Sequence, residues 1–178
     1  MENIQEDVEN KIIDCIVLGS NGRLIVFKPE EHKNGTDLAV KRKGEYEPEE
    51  NKSIVEQKVV RAQAFGSVSK KNKEEMFVSV SGQIKTDEKS IFIKDINIGE
   101  SGLDKKAYLL FVFFNLVKHD IDDYVCILQL EKFKKIATAT KDRNILKFES
   151  YLSPEKKDKY TDFLINKKEL AHFFLGMT

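Results

Sequence analysis

Tryptophan is absent from this 178-residue chain, cysteine occurs twice and histidine three times. Each shortage removes a class of function. Cys15 and Cys126 both stand inside apolar segments, which reads as two buried free thiols rather than a disulfide or a redox pair. His32, His119 and His172 are scattered over a loop, a turn and the last helix, without the local spacing or supporting cysteine of a zinc site. A Gly-rich phosphate loop, paired-Cys metal spacing and a Gly-x-Ser-x-Gly nucleophile elbow are all missing. The missing tryptophan, beside plentiful lysine, isoleucine and asparagine, reflects nucleotide bias rather than an activity.

No apolar run approaches the roughly 20 residues needed to cross a bilayer. The longest, Tyr108 to Phe114, has the length of a strand, so no membrane partner is expected. The opening MENIQEDVEN is acidic and lacks the basic and apolar regions of a secretory signal, which predicts a cytoplasmic chain. Excess charge of one sign is also absent. Thirty basic and thirty acidic side chains cancel, so a polyanionic partner would need a local basic surface.

Apolar residues make up 40% of the chain and charged ones 34%, which fits a single domain over residues 1–178. Its first part, 1–129, reads as helix plus sheet core, and 130–178 as a helical C-terminal part of the same domain. Ile4, Val8, Ile12 and Ile16 recur at four-residue spacing and predict a helix over Ile4 to Leu18. Glu9 lies on the edge of its buried face, either as a rim residue whose head group reaches water or as a group with a task. Gly19 to Gly22 ends the helix, and RLIVFK from Arg23 reads as a strand closed by Pro29.

Thr36 to Val40 reads as a second strand with Asp37 at its mouth. Asp is depleted in strands, so either a turn role beside Gly35 or a chemical one explains it. Residues 41–52 form a charged connection, and Ser53 to Gly66 reads as one long strand. Met76 to Thr86, MFVSVSGQIKT, alternates with a period of two and places Gln83 and Lys85 on one face. With Ser90 to Ile98 as the next strand, the middle of the chain is expected to be an antiparallel meander. Tyr108 to Phe114 and Tyr124 to Gln129 read as buried strands, followed by a short helix within 130–140. Ser153 and Pro154 signal one terminal helix, with Tyr160, Phe163 and Leu164 as its stripe; Asn166 with Glu169 signals another. The expected fold class is α+β (α/β), a mixed central sheet with an N-terminal helix and two C-terminal helices.

A helix with an inward Glu9, a strand bearing Asp37, and a later strand ending in Gln83-Ile84-Lys85 follow one another in an order that resembles the PD-(D/E)XK nuclease superfamily. The resemblance implies a restriction-endonuclease-like core of helix, three-strand meander, helix and strand. It also implies Mg²⁺- or Mn²⁺-dependent hydrolysis of DNA phosphodiester bonds. In that reading Asp37 and Gln83 hold the metal, while Lys85 orients the attacking water or stabilises developing charge and Glu9 supplies the acid of the first helix. A second pair, Glu56 and Lys58, forms a literal E-x-K within 41–75, and Gln63-Ala64-Phe65-Gly66 resembles the same motif with Phe65 in place of the lysine. Three functions therefore stand side by side: an active nuclease, a catalytically degenerate relative binding nucleic acid or protein, and an unrelated α+β interaction domain. A homodimer is compatible with all three.

Overall fold

Val8, Ile12 and Ile16 are wholly buried on one stripe of helix α1 (Ile4–Gly19), and Glu6 and Asp7 complement the positive end of its dipole. The helix ends where Asn21 and Gly22 turn into the left-handed region, and Gly22 N donates to Val17 O at 3.0 Å. Buried Ser20 ties this end to the next strand: its hydroxyl donates to Val17 O at 3.0 Å and accepts from Leu24 N at 3.1 Å. The computed structural model describes residues 3–30, 35–44, 75–99 and 103–177. The expected strand 53–66 lies outside these.

Strands β1 (Leu24–Phe27), β2 (Leu38–Arg42) and β3 (Met76–Ile84) are consecutive antiparallel neighbours. The meander stops there. β4 (Phe92–Asn97) leaves the sheet, and β3 pairs in parallel with β5 (Tyr108–Asn115), from Val78 opposite Tyr108 to Ile84 opposite Phe114. β5 pairs antiparallel with the short β6 (Asp120–Ile121) and with β7 (Tyr124–Gln129). The main sheet is thus mixed, in the order β1-β2-β3-β5-β7-β10, the last being Leu164–Asn166, with β6 paired to β5. Helix α2 (Leu130–Ile136) leads into β8 (Thr138–Ala139), which pairs with β9 (Ile145–Ser150); β9 in turn pairs with β4, giving a three-stranded second sheet. Phe92 and Ile96 explain why β4 departs from the expected meander. They are buried between the sheets with Phe111, Phe113 and Phe148, a face that a hairpin partner at the edge of β3 could not reach.

The helix expected after Pro154 does not form. Asp158 competes for the backbone: its carboxylate accepts from Ser150 Oγ, Tyr151 N and Tyr160 N at 2.8 to 3.1 Å, folding the segment onto the end of β9. Tyr160 is buried all the same, and a 3-10 turn at Thr161–Phe163 leads to β10 (Leu164–Asn166), which pairs with β7. The Asn166 cap is present as a bond from Lys168 N at 3.0 Å, ahead of helix α3 (Leu170–Met177). Three helices and a mixed central sheet make up the described fold, with α1 and α3 on one face of that sheet and α2 with the small sheet on the other.

β5 supplies the shared wall, buried along both faces from Tyr108 to Phe114. Leu110, Val112 and Phe114 meet α1 and α3, whereas Leu109, Phe111 and Phe113 meet the small sheet. α1 crosses β3 at Gly82, where an added Cβ would lie 2.7 Å from Val8 Cγ2. Val8 is itself wholly buried, so Gly82→Ala is expected to destabilise the protein by on the order of 1–2 kcal/mol through overpacking, read as a lower urea midpoint. Val8→Ala in the same chain should recover part of that loss.

Candidate functional site

The residues singled out in the sequence gather around the outer half of β3. Pairing with β2 reaches only to Leu38 opposite Val78, so the β2-side backbone groups of Val80 and Gly82 have no strand beside them from β2. Side chains take that place. Asp37 N donates to Val78 O at 2.9 Å, and Asp37 Oδ2 accepts from Val80 N at 2.7 Å. Gln5 from α1 completes the edge: Nε2 donates to Val80 O at 2.8 Å, and Oε1 accepts from Gly82 N at 3.3 Å. An amide side chain presents the same donor and acceptor as a peptide group, so Gln5 extends the ladder for one step. Gln5 escaped the sequence reading, because a lone Gln on a helix carries no pattern that announces a strand edge.

Glu9 is one helical turn from Gln5 and accepts from its Nε2 at 3.0 Å, while its other oxygen meets Lys28 Nζ at 3.0 Å. Glu9, Gln5 and Asp37 are thereby linked through the backbone of Val80. Gln83 and Lys85 belong elsewhere on the strand. Val80 and Gln83 are three residues apart, roughly 10 Å at the rise of a strand, and Lys85 lies beyond. Their parity turns both towards the small sheet, opposite the face that α1 covers. Gln83 Oε1 accepts from Ile93 N of β4 at 3.1 Å, a hydrogen bond joining the two sheets. Lys85 Nζ meets Asp122 Oδ2 at 2.6 Å and lies 5.8 Å from the centre of the Phe113 ring.

Each candidate therefore has a partner within the fold, and they point in three directions: Glu9 into the helix layer, Asp37 along the sheet edge, Gln83 and Lys85 into the small-sheet layer. An oxygen donor set for Mg²⁺ would need Gln83 to release Ile93 and swing towards Asp37. Among the described residues no three His, Cys, Asp or Glu side chains are grouped to hold a metal ion. Glu56 and Lys58 lie outside the described residues.

A basic stretch of the chain stands apart from these positions. Residues 130–160 hold nine Lys and Arg against five Asp and Glu, in a chain whose charges balance overall. Lys135, Lys141, Arg143, Lys156, Lys157 and Lys159 are exposed there. Lys159 Nζ donates to Thr138 Oγ1 at 2.8 Å, which brings it to the β8 edge of the small sheet, whereas Lys147 of β9 is registered with Asp95 of β4. Comparison with protein-family models, with curated proteins and with solved structures gave no match.

Proposed function

We propose that this chain is a non-catalytic nucleic-acid-binding protein on a nuclease-like scaffold, in which the positions resembling a catalytic set hold the fold together. The observation that carries this reading is the engagement of all four side chains: Glu9 with Lys28, Asp37 with Val80 N, Gln83 with Ile93 N, and Lys85 with Asp122. Helix α1, the β1-β2-β3 meander and β5 parallel to β3 are consistent with the order of a restriction-endonuclease-like core, with β4 where that core has a helix. The exposed lysines and arginine of residues 130–160 supply the binding surface, since lysines that neutralise phosphates release counterions and make binding salt-dependent.

Fluorescence anisotropy with labelled DNA and RNA oligonucleotides tests the reading. Binding is expected to weaken linearly in log–log form as salt rises, and the double reversal Lys135→Glu, Lys159→Glu should lower the slope by about 1 for each phosphate no longer neutralised. Absence of binding at low salt, or binding indifferent to those charges, overturns it. Plasmid incubated with high protein and Mg²⁺ or Mn²⁺ should stay intact. The second reading, an active metal-dependent nuclease, is favoured by Asp37 immediately before β2 and Gln83-Ile84-Lys85 at the end of its neighbour β3, and metal-dependent cutting that disappears in Lys85→Ala would establish it instead.

A further inference from the structure

Between the C-terminal half of α1 and the segment carrying Lys167 and Lys168 lies an open pocket of about 340 Å³. Lys11, Asp14, Cys15 and Leu18, spaced three and four apart, put one face of α1 on its wall; Asp120, Lys167 and Lys168 form the facing wall. The volume is at the lower end of small-molecule sites, room for a metabolite-sized ligand rather than a peptide.

The charges divide into a structural set and an uncommitted set. Lys167 Nζ donates to Asp120 Oδ2 at 2.8 Å and to Ile121 O at 2.9 Å, with Asp123 at 3.7 Å. Burial opposes both charges of this pair and is the largest single influence on each. Their hydrogen bond and mutual attraction, with Ile121 N bonded to Asp120 and Asp123 near Lys167, together outweigh it, raising the pKa of Lys167 and lowering that of Asp120. The pair is built in, and its charges are cancelled internally. Lys11, Lys168 and Asp14 differ: among the described residues none of their charged groups makes an ion pair or hydrogen bond. Two free ammonium groups against one free carboxylate favour an occupant with a single negative charge, and Asp14 disfavours a second one.

The rest of the wall is apolar. Leu18 is 74% exposed, an unusual position for a leucine with a pocket beside it. Burial pushes the Cys15 thiol up, so it presents a neutral, weakly polar surface. We propose that this pocket binds a small amphipathic organic anion, its head between Lys11 and Lys168 and its apolar tail over Leu18 and Cys15. This site is independent of the nucleic-acid reading and lies on the helix side of the main sheet.

Cys15 is a reporter placed inside the site, and Cys126, wholly buried, is an internal control. The test measures alkylation of each thiol by iodoacetamide, by peptide mass spectrometry, in the full chain with octanoate as the probe. Octanoate is expected to slow Cys15 alkylation saturably while Cys126 stays unmodified. Octanol and octylamine at the same concentrations should not protect. Lys11→Gln and Lys168→Gln, each compared with its own ligand-free rate, should raise the half-protecting octanoate concentration about tenfold, the loss of one charge-assisted hydrogen bond. The proposal is overturned by absence of protection up to the solubility limit, by equal protection from octanol, by an unchanged midpoint in either variant, or by exposure of Cys126, which would mark octanoate as a denaturant here.

Discussion

Asp37→Ala is expected to lower stability by about 2–3 kcal/mol, the usual cost of removing a charged partner from a part-buried hydrogen bond. The carboxylate accepts from Val80 N where β2 no longer lies alongside, so its loss leaves a sheet donor without that acceptor. Asp37→Asn keeps an acceptor oxygen and should cost only about 1 kcal/mol, the margin between a charged and a neutral acceptor. Urea denaturation of the three proteins, with m unchanged, checks the order wild type, Asn, Ala. Gln5→Ala should reproduce much of the Ala phenotype, because it frees Val80 O and Gly82 N on the same edge. The series also separates the two functional readings. A carboxylate retained for metal chemistry would leave stability nearly unchanged in both variants and lose any metal-dependent cleavage in Asn as fully as in Ala.

This dual meaning of Asp37 shows where reading the sequence runs out. A carboxylate at the mouth of a strand is equally what a metal site and an unpaired sheet edge call for, and only the end of the β2 pairing distinguishes them. Gln83 and Lys85 share one face, as the period of two requires, but that face turns to the second sheet, whose strand β9 carries no strong local pattern. The helix α1 and strands β1, β2, β3, β5 and β7 were legible because each carries either its own periodicity or an apolar run of strand length beside turn residues. β4 was legible as a strand but not in its partner, since leaving the meander is decided by distant Phe148. The segment after Pro154 had helix-start chemistry and a helical stripe; Asp158, satisfying three donors at once, overrode both. The Lys167–Asp120 pair and the pocket beside it join residues far apart in the chain, which no local spacing encodes.

Phe148→Ala should cost more than either Asp37 variant, about 3–5 kcal/mol, because it opens a cavity where the two sheets meet. Phe148 is wholly buried on β9, and its ring lies parallel to Phe111 of the main sheet with centroids 3.6 Å apart. Phe92 approaches edge-on at 5.7 Å, and Tyr160 packs at 4.4 Å. Side chains from three other segments therefore converge on this one. A three-stranded sheet depends on burying an apolar face for its stability, and here that face is buried against β5. Phe148→Leu, which keeps most of the volume, should cost far less than Ala. Amide hydrogen exchange gives the sharper readout: in Phe148→Ala the amides of β4, β8 and β9 should lose protection before those of β3 and β5. The main sheet retains its α1 and α3 packing on the other face, which contains neither Phe148 nor its neighbours. Equal loss of protection in both sheets would mean instead that β5, buried on both faces, binds the two layers into one cooperative unit, and then Gln83, bridging β3 to β4, becomes the next position at which to separate them.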